Sequence, residues 1–397
     1  MNPQKEKILV LTSSFPINEN SNIGGGVFVY NLCERLSEEY EIHVLTPRII
    51  DSEKESRFNA ISIKRYSFLG SKNLIGMSGI AATLSKKKPA YIFVPFFLIS
   101  QLLSLKKYIR ENNISIIHAH WLIPQGIVAV FYKRIFNKEI KIICTSHGSD
   151  LNMNFGWIGK QILKSILQHT DSLTVVSQNL REKAIALGYK KKIEIIPMGI
   201  DTKRFNYINE NGIKKKYRIK GDLILFVGNL IEVKGVEYLL RAIPEILLSK
   251  PNTTLLFVGD GILKERLNAI SGELNIKNNI VFTGSISNNE MPNYFSAADI
   301  VVMPSLNEGL GLVWVEAMAC KTLVIASDID VFKHHIKHYE NGFLVPVKNS
   351  QAIADMVLEV FNNLNKMDEI RENARKYVVS NFDWEIVTSK FVNILSR

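Results

Sequence analysis

Short apolar runs rich in β-branched residues recur along the chain, each closed by a polar or glycine-containing turn and followed by a stretch of helical periodicity. In the first half they read KILVLTSSFP, EIHVLTP, ISIIHAHW, KIICTSHGSD, SLTVVSQ and IEIIPMG. A polar, lysine-rich bridge follows, DTKRFNYINENGIKKKYRIKGD, and the pattern restarts with LILFVGNL, TTLLFVGDG, NIVFTGS, DIVVMPS, TLVIASDI and GFLVP. Strands alternating with helices predict mainly parallel sheets covered on both faces. The interruption predicts two of them, with a boundary near Gly199–Asp201. The expected α/β architecture is two doubly wound, Rossmann-like domains, 1–200 and 201–375, facing across a central cleft, with ligands bound outside the carboxyl ends of the strands. The closing segment ARKYVVSNFDWEIVTSKFVNIL reads as one or two amphipathic helices, and 376–397 is expected to pack back toward the first domain.

Composition narrows the class. The 397 residues are 46% hydrophobic and 22% charged, without low-complexity tracts, so the chain is globular throughout. Cys33, Cys144 and Cys320 are odd in number and far apart, which excludes a disulfide framework and a CxxC metal knuckle and fits a reducing cytoplasm. The start, MNPQKEKILVLTSSFP, passes straight from charge into a strand, and no signal peptide is expected. A net charge of +11 calls for an anionic partner, whether phosphorylated substrate, anionic lipid or nucleic acid. Without zinc-finger, RNA-recognition or helix-turn-helix signatures, no nucleic-acid partner is expected.

One apolar run changes the picture. Tyr91 to Leu105 lies between Lys86, Lys87, Lys88 and Lys106, Lys107. It is shorter than the ~20 residues of a spanning helix, and Pro95 is expected to interrupt it. A core helix and a surface helix dipping into a leaflet, with its basic residues on the headgroups of an anionic membrane, both fit.

Candidate chemistry concentrates in PSLNEGLGLVWVEAM. Gly309 and Gly311 follow a predicted strand at 299–305 and precede helix-forming residues. Glycines there let the backbone turn tightly, and a helix N-terminus presents free N–H groups to an anion such as phosphate. A plain strand-to-helix turn fits the same residues. Glu316 falls in the first or second helical turn, where the helix dipole favours a carboxylate in any case. Its functional alternative is to accept from the paired hydroxyls of a ribose. Glu308 is either an exposed loop acid or lies nearer the reacting end of the same ligand.

With Glu308 and Glu316 as a Glu-x7-Glu pair, NEGLGLVWVEAMA resembles the signature of the retaining family-4 glycosyltransferases of the GT-B fold. An ordered series agrees with it over nearly the whole chain: GGGVFVYNLCERLS, IIHAHWLIPQG, TSHGSDL, VVSQNL, IPMGIDTKRF, FVGNLIEVKGVEYLLRA, FVGDG, VFTGSISNNEMPNYFSAADIVVMPS and NGFLVP. The resemblance implies transfer of a sugar from a nucleoside-diphosphate sugar to a glycan or lipid-linked acceptor, in synthesis of cell-surface polysaccharide or glycoconjugate. Retention at the anomeric carbon, no cofactor and a cytoplasmic site at the inner face of the membrane belong to the same expectation.

Residue by residue, the resemblance implies Glu316 at the ribose and Glu308 as a catalytic group at the transferred sugar. It places the turn at Gly309 and the N–H groups of Gly311, Leu312 and Val313 on the diphosphate, beside Gly228 and Asn229. Lys234 would be catalytic by neutralising the leaving diphosphate. Gly284, Ser285 and Ile286 would back the base. From the first domain, Gly24, Gly25 and Gly26 would lie near phosphates and acceptor, and His147 would reach the donor sugar as a third catalytic group. Asp150, which also suits a helix cap, and His120 are the acceptor-side candidates.

Departures from the family pattern leave alternatives. Asn229 stands where an arginine is usual, Lys321-Thr322-Leu323 replaces Gly-Thr-Pro, and Asp330-Val331-Phe332-Lys333-His334 replaces a Gly-Gly turn with its acid. A non-catalytic nucleotide-sugar-binding subunit and a GT-B-type sugar-nucleotide epimerase therefore stay open, whereas a dehydrogenase lacks its GxGxxG after the first strand. Asp328-x-Asp330 and the His334/His338 pair have no remaining ligand set, so no metal is expected.

Overall fold

The computed structural model describes residues 5–18, 25–49, 52–74, 80, 83–84, 88–152, 156–209 and 212–397. The chain divides into two compact units, Met1–Gly199 with Val387–Arg397, and Ile200–Ile386. Of the closing segment 376–397, residues 376–386 therefore stay with the second unit.

Among the described residues of the first unit eight strands form one sheet: β1 (Lys7–Leu11), β2 (Glu41–Pro47), β3 (Glu55–Phe58), β4 (Ile61–Tyr66), β5 (Ile116–His120), β6 (Lys141–Ser146), β7 (Ser172–Val175) and β8 (Ile193–Ile195). Their order is β3-β4-β2-β1-β5-β6-β7-β8, parallel throughout except for the β3/β4 pair. Ile8 is in register with Ile42 on one side and Ile116 on the other. The chain leaves β1 toward β2 and resumes at β5 on the opposite side, so a crevice opens at the carboxyl ends of β1 and β5. The helices that matter here are α1 (Val27–Leu36), α2 (Val94–Asn112), α3 (Ile127–Ile135) and α4 (Gly156–His169). Pro95 does not interrupt its apolar run. It occupies the first turn of α2, where a missing N–H costs nothing because that group has no intrahelical partner. The segment Val387–Arg397 joins this unit through the Phe391 ring, 5.5 Å from His118, and through Lys141, whose Nζ donates to the Ile394 carbonyl at 3.2 Å.

The second unit holds a six-stranded parallel sheet: β9 (Leu223–Val227), β10 (Thr254–Val258), β11 (Ile280–Gly284), β12 (Ile300–Met303), β13 (Leu323–Ser327) and β14 (Phe343–Val345). The order β11-β10-β9-β12-β13-β14 puts its switch point between β9 and β12. Helix α5 (Val236–Ser249) buries Val236, Leu239, Leu240, Ile243 and Ile246 in one stripe against this sheet. Each such side chain contributes about 1.5–3 kcal/mol on burial. Helix α6 (Leu312–Ala319) follows β12, and α7 (Asp368–Phe382) and α8 (Trp384–Leu395) close the chain, separated at Asp383.

Candidate functional site

In the second unit, loops from β9 and β12 are pressed together where glycine permits. Gly228 and Leu230 extend the pairing beyond β9, donating to the Val258 and Asp260 carbonyls at 2.9 Å each. A Cβ on Gly235 (φ 63°) would stand 1.9 Å from the Pro304 carbonyl oxygen, so only glycine lets the Lys234 turn sit against the loop after β12. Leu306 N–H donates to the Val233 carbonyl at 2.8 Å, fixing that approach. As a result Lys234 forms an ion pair with Glu308, and Ser305 Oγ donates to the same carboxylate at 3.3 Å. The Glu308 side chain is 9% exposed and lies over Gly311, where a Cβ would meet its carboxyl carbon at 3.1 Å. A cavity of about 200 Å³ opens among Gly228, Asn229, Lys234, Ser305, Glu308 and Gly311.

Helix α6 begins at this cavity. Gly311 (φ 70°, ψ 90°) is its N-cap, and the N–H groups of Gly311, Leu312 and Val313 precede the first intrahelical bond. Trp314 anchors the start from inside: it is fully buried, its Nε1–H donates to the Leu310 carbonyl at 2.9 Å, and its ring stacks on His335 at 5.1 Å. Leu312, Val313 and Glu316, spaced three and four apart, share the open face with Gly309 on the turn before them, whereas Trp314, Val315, Ala317 and Met318 are buried. Among the described residues no side chain donates a hydrogen bond to the half-buried Glu316 carboxylate. Burial pushes its carboxyl up to about 7, and the Arg204 guanidinium pulls the other way.

Arg204 also donates from Nη1 to Asn289 Oδ1 at 3.4 Å. Sequence reasoning missed it, because nothing in its spacing ties the bridge after the domain boundary to a helix more than a hundred residues later. Gly284 (φ 74°) ends β11 with open space around its Cα, followed by exposed Ser285 and half-buried Ile286. Asn229 lines the cavity without bringing charge, so among the described lining residues Lys234 is the one cation. Lys321, in place of a family glycine, adopts φ 60° and is held at the far end of α6 by Glu372 and by Arg371, which donates to its carbonyl at 3.3 Å. Among the described residues no three His, Cys, Asp or Glu side chains converge as a metal ligand set.

In the first unit the loop after β1 is equally constrained. Gly25 and Gly26 are both left-handed (φ 65° and 67°), and a Cβ on Gly26 would lie 2.1 Å from the Ser14 carbonyl oxygen. Gly26 caps α1, whose Phe28 ring sits 4.9 Å from His147. Gly24 lies outside the described residues. His147, half-buried after β6, meets His120 from the end of β5: Nδ1 of His120 and Nε2 of His147 are 2.9 Å apart, with the rings within 7° of parallel. Burial and the neighbouring His118 hold His147 down to about 3, so it is neutral at physiological pH. His120 Nε2 is buried without a partner among the described residues. An orphaned N–H being the costlier choice, the proton belongs on His120 Nδ1, which donates to His147 and leaves His147 Nδ1 as a donor.

The two acceptor-side candidates do not face solvent. Asp150 is buried, its oxygens accepting from Leu122 N–H at 2.7 Å and Ser146 Oγ at 2.6 Å, so it anchors the turn after β5. Burial raises its carboxyl and these donors oppose the shift. His120 is fully buried as well, with its Nδ1 engaged by His147.

Residues 209–377 match the family described as Glycosyl transferases group 1, and residues 23–204 match Glycosyltransferase Family 4. The chain is 30% identical to the "Putative teichuronic acid biosynthesis glycosyltransferase TuaC" of Bacillus subtilis over 282 residues, 69% of this chain and 68% of that protein. It is 23% identical over 351 residues, 86% of this chain and 90% of the relative, to the GDP-mannose-dependent alpha-(1-6)-phosphatidylinositol monomannoside mannosyltransferase of Mycobacterium tuberculosis. Among solved structures, sucrose-phosphate synthase from Thermosynechococcus elongatus shares the fold with a TM-score of 0.80 over 99% of this chain and 98% of that one, at 21% identity. Both units being matched, and TuaC being related over more than two thirds of its length, the chain belongs to glycosyltransferase family 4, of the GT-B fold, and its chemistry is glycosyl transfer.

Proposed function

We propose that this glycosyltransferase moves a sugar from a nucleoside-diphosphate sugar to a glycan or lipid-linked acceptor, with retention at the anomeric carbon. The observation that carries the reading is the Lys234–Glu308 pair, held over Gly311 beside the N-terminus of α6 in the second unit's cavity. A diphosphate there takes the N–H groups of Gly311, Leu312 and Val313 together with the Lys234 ammonium. Drawing Lys234 toward phosphate frees the Glu308 carboxylate for hydroxyls of the transferred sugar. Glu316, on the same open face and without a side-chain donor among the described residues, accepts from the ribose hydroxyls, while the backbone at Gly284–Ile286 backs the base. His147 serves the sugar as an uncharged donor.

Retention by double displacement needs two carboxyl groups about 5–5.5 Å apart. Among the described residues lining the cavity Glu308 is the one carboxylate, and Lys234 engages it. This supports attack from the leaving-group face. The bond from the anomeric carbon to phosphate breaks through an oxocarbenium-like state, the new glycosidic bond forms, and the acceptor's proton passes to a departing phosphate oxygen. The mycobacterial relative's dependence on GDP-mannose and its phosphatidylinositol monomannoside acceptor support this class of donor and acceptor. The setting proposed is the cytoplasm, in synthesis of cell-surface glycans.

A panel of radiolabelled uridine-, guanosine- and adenosine-diphosphate sugars, offered with a membrane extract as acceptor, tests the reading. We expect a glycosidic product from at least one donor and its loss in Glu308→Gln. Binding without turnover points to a non-catalytic subunit, a view that Asn229 favours, and an epimerised sugar released without glycosidic product points to an epimerase; either result overturns the proposal.

A further inference from the structure

The first unit carries an apolar face that its fold does not use. Along α2, Phe97, Gln101, Leu105 and Ile109 form the buried stripe. On the opposite side Phe96, Ile99 and Leu103, with Ile92 in the 3-10 turn just before α2, lie open at helical spacing, Leu103 with 62% of its surface exposed. Only 22% of the apolar window of this helix is buried, although Pro89–Asn112 is long and apolar enough to cross a membrane. Crossing would tear the buried stripe from the sheet, so in the folded unit this helix lies on a surface.

The neighbouring helices continue the face. Helix α3 packs beside α2 and exposes Phe131, Ile135 and Phe136; α4 packs beside α3 and exposes Trp157, at 75%, and Ile158. Cations flank these side chains. Lys106 Nζ stands 4.1 Å over the Phe136 ring, joining α2 to α3. A hollow of about 420 Å³ is lined by Leu103, Lys106, Lys107 and Arg110, with Glu111 as its acid. A second, of about 470 Å³, gathers Lys133, Arg134, Lys138 and Lys191 around Asp171, which Lys133 already engages at 2.6 Å.

A partner must offer apolar depth and negative charge side by side. A second copy of this face would set cation against cation, and a nucleic acid brings anions without an apolar layer. We propose that the α2–α3–α4 face docks on an anionic lipid bilayer, with Phe96, Ile99 and Trp157 at the acyl boundary and the two basic hollows on lipid phosphates. The inference stands apart from the transfer reaction, since its readout is membrane binding.

The test is flotation of the full chain with vesicles of phosphatidylcholine alone or mixed with phosphatidylglycerol. Binding is expected to the mixed vesicles only, weakened by salt and undisturbed by millimolar inorganic phosphate. Neutralising Lys106, Lys107 and Arg110 to glutamine lowers partitioning roughly fivefold per residue. Ile99→Ser and Trp157→Ser each lower it roughly tenfold, while Lys277→Gln in the second unit changes nothing. Of the altered side chains all but the half-buried Lys106 are exposed, and thermal melting confirms that the variants stay folded. Equal binding to both vesicles, no binding, variants that bind like wild type, or a lipid-free dimer dispersed by Ile99→Ser would each overturn the proposal.

Discussion

Replacing Glu316 by glutamine is expected to make the unliganded protein more stable while destroying its response to nucleotide. The carboxyl keeps its proton up to about pH 7 in the fold but only to its ordinary 4.5 when unfolded. Between those values the folded state binds more protons than the unfolded chain, so stability falls as pH rises, by about 1.4 kcal/mol for each pH unit. Taken in full the penalty is about 3.4 kcal/mol at pH 8; the side chain's partial exposure halves it, to about 2 kcal/mol. Glutamine has no proton to lose and escapes the penalty. For a cooperative unit of this size about 2 kcal/mol corresponds to roughly 4–8 °C. Thermal melts of wild type and Glu316→Gln at pH 4.5, 6 and 8 should show a gap that is nearly closed at pH 4.5 and widest at pH 8. Adding uridine or guanosine diphosphate at pH 8 should raise the wild-type midpoint, because a ligand that binds only the folded state stabilises it, and leave the variant's unmoved. A variant no more stable than wild type at pH 8, or a gap independent of pH, would show that Glu316 is not held ionised against its surroundings.

Three further expectations follow from the packing. Lys234→Ala strands the Glu308 carboxylate without its cation, which should cost roughly 1–3 kcal/mol in chemical denaturation and lower nucleoside-diphosphate affinity at least tenfold by calorimetry, whereas Glu308→Gln should slow transfer with donor affinity nearly kept. Gly26→Ala should destabilise by about 2 kcal/mol or more, since its Cβ meets the Ser14 carbonyl at 2.1 Å; Gly25→Ala, with 3.8 Å of clearance, should cost only about 1 kcal/mol for its left-handed φ, as urea titrations can compare. Asp150→Ala removes the acceptor of Leu122 N–H and Ser146 Oγ and should cost about 2–3 kcal/mol, with faster amide exchange at Leu122.

The parts of the fold legible in the sequence are those where each strand is buried on both faces. The central strands of the second sheet, IVVM in β12 being an example, read as unbroken apolar runs because both of their faces are covered. The β3/β4 pair escaped the pattern: ESRF and ISIKRY alternate at the sheet's edge and look like a polar loop. Motif resemblance supplied Lys234 and Glu308 but not their ion pair, which depends on Gly235 approaching Pro304, a contact across some seventy residues. Likewise the alternation of His118 and His120 places them on one side of a strand without saying that the side is buried. For α2, an apolar run can be seen, but which of its apolar faces meets the sheet is decided only by packing.

Retaining transfer from a nucleoside-diphosphate sugar at the cavity beside α6 can be followed through the anomeric proton in NMR while the enzyme consumes an α-linked donor. An α-linked product is expected as the first species formed, lost together with donor consumption in Glu308→Gln. A β-linked first product, or donor consumption that proceeds unchanged in that variant, would contradict it.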